Sequence, residues 1–252
     1  MSSELETRIA ENYTAVTQRI HQAAKRVNRD PSAVTLVAVT KTWPIDYLLA
    51  AYHAGMRDFG ENRAEELARK RTEMSMQLGS ATSDIVWHQI GTLQSRKTDL
   101  VADHADVFHA LDRLKIAQRL SRQLVENGRT LPVFLEVNLS GEASKAGFNV
   151  TAWEDDATQQ VKLRKEIETI AQLPGLQIQG LMTMAPWGAA EDVLRDVFRR
   201  TRLLAEWLQS NIHAATITQL SMGMTDDFEI AIEEGATHVR VGRALFGTRT
   251  TK

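Results

Sequence analysis

Apolar and polar positions along the chain follow two periods that take turns. Leu5, Ile9, Val16, Ile20 and Val27 recur at helical spacing, which predicts a leader helix that stops near Asp30-Pro31. Ser3 and Glu6 have the spacing of a capping box at its start. Beyond Pro31 the period shortens. Val34–Val39 is short, β-branched and nearly all apolar, as a buried parallel strand requires. Ile45, Leu48, Leu49 and Tyr52 then fall at i, i+3, i+4 and i+7, one apolar helix face with Pro44 in its first turn and Gly55 closing it. Met56–Phe59 reads as the next strand.

The same alternation repeats to the end of the chain. Further strands are predicted at Ile85–Ile90, Val107–Leu111, Val133–Asn138, Ile178–Thr183, Thr216–Met222 and His238–Val241. Helical patterns lie between most of them, as at Asp112–Glu126, Asp192–Gln209 and Asp226–Glu234. Strands that alternate with helices pair in parallel through right-handed crossovers. Eight such units in 252 residues predict an α/β protein with a closed (β/α)₈ TIM barrel and an extra N-terminal helix. The open, doubly wound sheet is the alternative, but no Gly-x-Gly-x-x-Gly follows any strand. No linker divides the chain, so residues 1–252 are expected to form one domain, with the leader over 1–30 and the barrel over 31–252. Residues 143–165 are the most charged and irregular stretch and read as a long loop running into a helix.

Composition removes several classes of function. There is no cysteine, which excludes disulfides, thiolate metal sites and cysteine nucleophiles. The net charge is −2 with no polybasic block, so neither nucleic acid nor an anionic membrane is expected as a partner. The first residues carry no signal-peptide pattern and no segment is apolar for the length of a bilayer. A cytoplasmic location is the expectation.

A barrel of this kind places its chemistry at the C-terminal ends of the strands. Lys41 follows the apolar run Val37-Ala38-Val39, and an amine at the rim of a low-dielectric interior is suited to attack an aldehyde. A solvated lysine that merely follows a strand is the plain alternative. Ser221-Met222-Gly223-Met224-Thr225 and Val241-Gly242-Arg243 each turn from a strand toward a helix. Gly223 lets a backbone approach closely, Ser221 offers a hydroxyl and Thr225 an N-cap. These turns follow the seventh and eighth strands, where such barrels often bind phosphate. Each glycine taken singly is equally well explained as a tight turn. Arg240 lies within the eighth strand and, if buried, must be paired, either with a carboxylate or with a ligand. Of the seven histidines, His88 is the one expected in the barrel interior, and no pair has metalloprotease spacing. Lys145, in a charged loop, competes with Lys41 as the reactive amine and ranks below it.

Together, Val39-Thr40-Lys41-Thr42 with Pro44, Phe59-Gly60-Glu61-Asn62, Trp87-His88-Gln89-Ile90-Gly91, Leu93-Gln94, Gly180-Leu181-Met182, Leu220-Ser221-Met222-Gly223-Met224 and Val239-Arg240-Val241-Gly242 give the chain its family likeness. It resembles the pyridoxal phosphate (PLP) homeostasis proteins, relatives of the alanine racemase barrel, over nearly all of its length after the leader. The resemblance implies PLP held as a Schiff base on Lys41. It also implies phosphate contacts from Ser221 and from backbone around Gly223, Met224, Gly242 and Arg243, with Arg240 near the ring nitrogen and Asn62 and His88 lining the pocket. The chain departs from the family at Gln89, where an aromatic residue is common, and at Arg96, where asparagine is common; both changes bear on the pocket rim. An arginine donating to the ring nitrogen leaves it unprotonated, which weakens the ring as an electron sink.

Two functions follow. One is a carrier that buffers PLP and delivers it to apo-enzymes, expected to be monomeric and without dedicated catalysis. The other is a single-domain PLP enzyme such as an amino-acid racemase. Racemisation needs a group on each face of the cofactor. The tyrosines, Tyr13, Tyr47 and Tyr52, all fall in predicted helices, and with Lys252 five residues after Gly247 no second domain is expected to supply another. A Schiff-base aldolase acting on a sugar phosphate without PLP is a third, weaker reading.

Overall fold

The computed structural model describes residues 2–139, 141 and 146–248. Eight parallel strands close into a barrel: β1 (Thr35–Val39), β2 (Asp58–Glu61), β3 (Val86–Gln89), β4 (Val107–Leu111), β5 (Leu131–Asn138), β7 (Leu176–Met182), β8 (Gln219–Ser221) and β9 (His238–Val241). Closure comes from β1, which pairs with β2 on one side and with β9 on the other, in a register that sets Val37 opposite Arg240. A two-residue strand, β6 (Phe148–Asn149), pairs with the end of β5 outside the ring. It arises within the stretch read from sequence as irregular, because β5 overshoots the barrel and leaves edge groups to pair.

The helices are α1 (Ser2–Arg26), α2 (Ile45–His53), α3 (Ala64–Leu78), α4 (Thr98–His104), α5 (Leu114–Glu126), α6 (Ala157–Ala171), α7 (Glu191–Asn211), α8 (Phe228–Glu233) and α9 (Arg243–Phe246). Most of them bury one stripe on the barrel. In α7 this is Leu194, Val197, Phe198, Thr201, Leu204, Ala205 and Leu208, a 3.6-residue period carried through about four turns. Asp156 caps α6 by accepting from the N–H groups of Thr158 and Gln159. The leader α1 lies against α2, α8 and α9, and its Asn12 amide donates to the Leu245 carbonyl.

Several boundaries differ from the sequence expectation. Ser3 sits inside α1 and is not its cap, and the helix stops at Arg26, four residues early, with Asn28 left-handed at φ 55°. The seventh barrel strand contracts to Gln219–Ser221. The helix expected from Asp226 starts at Phe228, because the Asp227 carboxylate accepts from the Met224 N–H at 2.5 Å and holds residues 224–227 as a turn. Thr225 is therefore part of that turn and not a helix cap.

β7 and β8 meet so closely that only glycine fits at position 180: an added Cβ would lie 1.7 Å from the Gln219 carbonyl oxygen. Gly180→Ala is expected to cost about 3 kcal/mol, at the upper end for overpacking, or to prevent folding. Urea denaturation followed by circular dichroism would check this, and an unchanged midpoint would contradict the close approach.

Candidate functional site

At the C-terminal mouth of the barrel, Val39, Lys41, Asn62, Ile90, Met184 and Trp187 face Met224, Thr225, Asp226, Arg240, Gly242 and Arg243 across a cavity of about 240 Å³. Six of the residues singled out from sequence, Lys41, Asn62, Met224, Arg240, Gly242 and Arg243, thus meet in one place although they come from β1, β2, β8 and β9 and their following turns. Gly223 is next to the lining, at φ +95°, and a Cβ there would run into Ala231 and the Phe228 backbone. His88 and Ser221 are buried beneath the floor and do not line the cavity. Lys145 lies outside the described residues.

Lys41 is half-buried, on a turn gripped from both sides. The fully buried Lys70 of α3 donates to the Thr40 carbonyl at 2.7 Å and bridges the carboxylates of Glu61 and Glu66, each at 2.8 Å. Glu61 also accepts from the Thr40 hydroxyl at 2.6 Å, and Glu66 from the Thr42 N–H at 2.7 Å. The backbone before and after Lys41 is therefore tied to one ion cluster. That anchorage holds Thr42 at φ 68°, a left-handed conformation costing a β-branched residue on the order of 1 kcal/mol. Burial pushes the Glu61 carboxyl up, against the pull of Lys70. Sequence reasoning passed over Lys70; the Glu66/Lys70 pair at i, i+4 is visible in the chain but is indistinguishable there from a solvated surface pair.

Arg240 forms the floor. Its guanidinium donates to the Ser221 carbonyl and hydroxyl, both at 2.7 Å, and to the Thr183 carbonyl at 3.0 Å. Burial lowers its pKa to about 10, while Asp227 and Glu136 pull it upward. It remains a cation at neutral pH, satisfied mainly by neutral acceptors. Arg243, at the rim, pairs with the Asp226 carboxylate. Trp187, 87% exposed, stands at the mouth on the turn after β7. Among these lining residues Trp187 escaped the sequence reading, because the loop that presents it carries no periodic signal.

Neither departure from the family pattern lies in the wall. Gln89 is fully buried and its amide donates to the carbonyls of Asn62 and Gly91, both at 3.0 Å, which holds the Asn62 loop in place. Arg96 is exposed and donates to the Gln94 side chain. The tyrosines also stay out: Tyr47 stacks on Trp43 at 4.4 Å, and the Tyr52 hydroxyl donates to the Ala81 carbonyl. Among the described residues no cluster of side chains has the makings of a metal site, and no helix is long and apolar enough to cross a membrane.

Glu136, at 2% exposure, has its Oε2 without a partner among the described residues. Burial, with Asp112 adding to it and Arg240 opposing, raises its pKa from 4.5 to about 7. The folded state therefore holds a proton that the unfolded state has released, and stability falls as pH rises from about 4.5 through 7. Glu136→Gln should flatten that decline and stabilise the protein above pH 7 by at most about 3 kcal/mol. Thermal melts of both proteins between pH 5 and pH 8, values spaced about that window, would show it; parallel curves would contradict it.

Residues 12–250 match the family model described as alanine racemase, N-terminal domain. The chain is 45% identical over 241 residues to the pyridoxal phosphate homeostasis protein of Pseudomonas aeruginosa, with 96% of each chain covered. It is 40% identical over 242 residues to the protein of that name from Haemophilus influenzae, again covering 96% of each. Among solved structures it is similar to PipY of Synechococcus elongatus with PLP bound, at a TM-score of 0.78 and 35% identity over 95% of this chain and 100% of that one.

Proposed function

The chain belongs to the alanine racemase N-terminal-domain family and, within it, to the pyridoxal phosphate homeostasis proteins, and on that premise we propose that it carries PLP in Schiff-base linkage to Lys41, buffering the aldehyde in the cytoplasm and delivering it to apo-enzymes. The single observation that carries this reading is the convergence of Lys41, Arg240, Arg243 and two glycine turns on one cavity. The donor set fits the group. An amine suits the aldehyde, the turns at Gly223-Met224 and Gly242-Arg243 suit a phosphate, and a buried guanidinium suits the ring nitrogen. When bound, PLP supplies a reactive aldehyde and an electron-withdrawing ring.

The protein's residues then divide the work. Lys41 supplies the covalent anchor, and the Lys70 cluster keeps its turn fixed. Asn62, placed by Gln89, forms the side wall. Met224, Gly242 and Arg243 receive the phosphate. Arg240 donates from below and, as a cation throughout the neutral range, keeps a proton off the ring nitrogen. His88 and Ser221 act on the site from beneath. No tyrosine or histidine is among the described lining residues, and the carboxylate that is, Asp226, is paired with Arg243 and so poorly placed to act as an acid or base opposite Lys41. This favours holding over turnover. The packing of α1 on α2, α8 and α9 supports reading residues 1–252 as one unit, which we take to act as a monomer.

Lys41→Ala should weaken PLP binding by about 100-fold or more, near 3 kcal/mol, and remove the visible band of the linkage. For delivery, the loaded protein is mixed with an apo-enzyme in the presence of a phosphatase that destroys free PLP. Activation faster than the measured dissociation of PLP supports direct hand-over. Activation no faster than dissociation would limit the protein to buffering, and saturable racemisation of a free amino acid would replace the carrier reading with an enzyme.

A further inference from the structure

Beneath the floor, one line of hydrogen bonds runs the length of the barrel interior. The Arg240 guanidinium meets the Ser221 hydroxyl at 2.7 Å, and that hydroxyl meets His109 Nδ1 at 2.7 Å. His109 Nε2 meets His88 Nδ1 at 2.8 Å, and His88 Nε2 meets an Asp58 carboxylate oxygen at 3.0 Å. Arg240 is at the mouth, whereas Asp58 is the first residue of β2, at the opposite end. Ser221, His88 and His109 are all at most 1% exposed; Asp58 is part-exposed.

Bonding rules give this line a direction. A carboxylate only accepts, so His88 must donate from Nε2; a guanidinium only donates, so the Ser221 oxygen must accept from Arg240. A neutral His88 then accepts at Nδ1, which requires His109 to carry its proton on Nε2. His109 in turn accepts at Nδ1, and the proton it accepts is that of the Ser221 hydroxyl. Every group is satisfied, and all donors point from the cation toward the anion. With a charged His88 the polarity would reverse at His109, leaving the Ser221 hydroxyl proton with no acceptor in the line. His109 is stacked on Phe134, with centroids 4.6 Å apart, and burial beside His88, His238 and Arg240 keeps it neutral. The third imidazole, His238, stands 5.8 Å from His109 and makes its own bond to the Thr237 hydroxyl.

We propose that Asp58, His88, His109 and Ser221 form one polarised relay that fixes the orientation of the Arg240 guanidinium from the far end of the barrel. These are positioning residues, since only Arg240 reaches the cavity. Their bearing on PLP rests on the function proposed above; the relay itself does not.

Two measurements test it. In protein labelled with ¹⁵N-histidine, long-range ¹H–¹⁵N spectra at neutral pH should show His88 and His109 both as neutral Nε2–H tautomers, without added PLP. An Nδ1–H tautomer at His109, or a charged His88, would overturn the proposal. Asp58→Ala, remote from the cavity, should shift the His109 ring signals and speed PLP dissociation about threefold to tenfold, the range of one hydrogen bond's net worth. A variant that melts earlier but leaves the His109 signals and the dissociation rate unchanged would also overturn it, because a merely structural aspartate behaves that way. If no PLP is taken up at all, the functional reading fails while the tautomer result still decides on the relay.

Discussion

The structure depends on a guanidinium placed inside the barrel. A charge there has lost its water and is tolerated only if its donors find acceptors and its field finds opposite charge. Arg240 meets that demand with oxygens from β8 and from the residue after β7, while Asp227 supplies compensating field. Those strand ends cannot move without stranding the cation. The same constraint makes the site: three strands are locked at the mouth, and the locked cation becomes the floor of the cavity.

On the other wall, burial works through a second ion cluster. Lys70 is as buried as any apolar core residue; its methylene stem packs with the core while its ammonium pins the peptide groups around Lys41 between Glu61 and Glu66. Buried ion pairs are weak evidence for stability and better evidence for specificity of arrangement. Here the arrangement is a lysine held at the rim on a left-handed turn, opposite the arginine floor. The two clusters share no residue, so amine and guanidinium are set independently, as suits a site that holds a rigid planar ligand at both ends.

Much of this was legible in the chain. β4 and β9 have the predicted bounds, because Val107–Leu111 and His238–Val241 are framed by abrupt polar turns. Lys41, Gly242 and Arg243 could be singled out because barrel geometry makes the residues after each strand informative, and Arg240 because an arginine inside a buried strand must be paired. What escaped was what depends on contact between distant strands. Nothing local tells that Asp58, His88 and His109, on three different strands, stand in line, or that the carboxylate of Asp227 shortens a helix by holding Met224. The Thr216–Met222 pattern alternates well enough for a long strand, yet only Gln219–Ser221 is assigned to one. Periodicity reports burial, and pairing is decided by the neighbour.

The proposed role turns on a covalent link between PLP and Lys41. The most direct measurement is borohydride reduction of the PLP-loaded protein followed by peptide mapping in a mass spectrometer. The account predicts a pyridoxyl group on Lys41. Modification confined to Lys145, or a protein that takes up PLP without any reducible linkage, would contradict it.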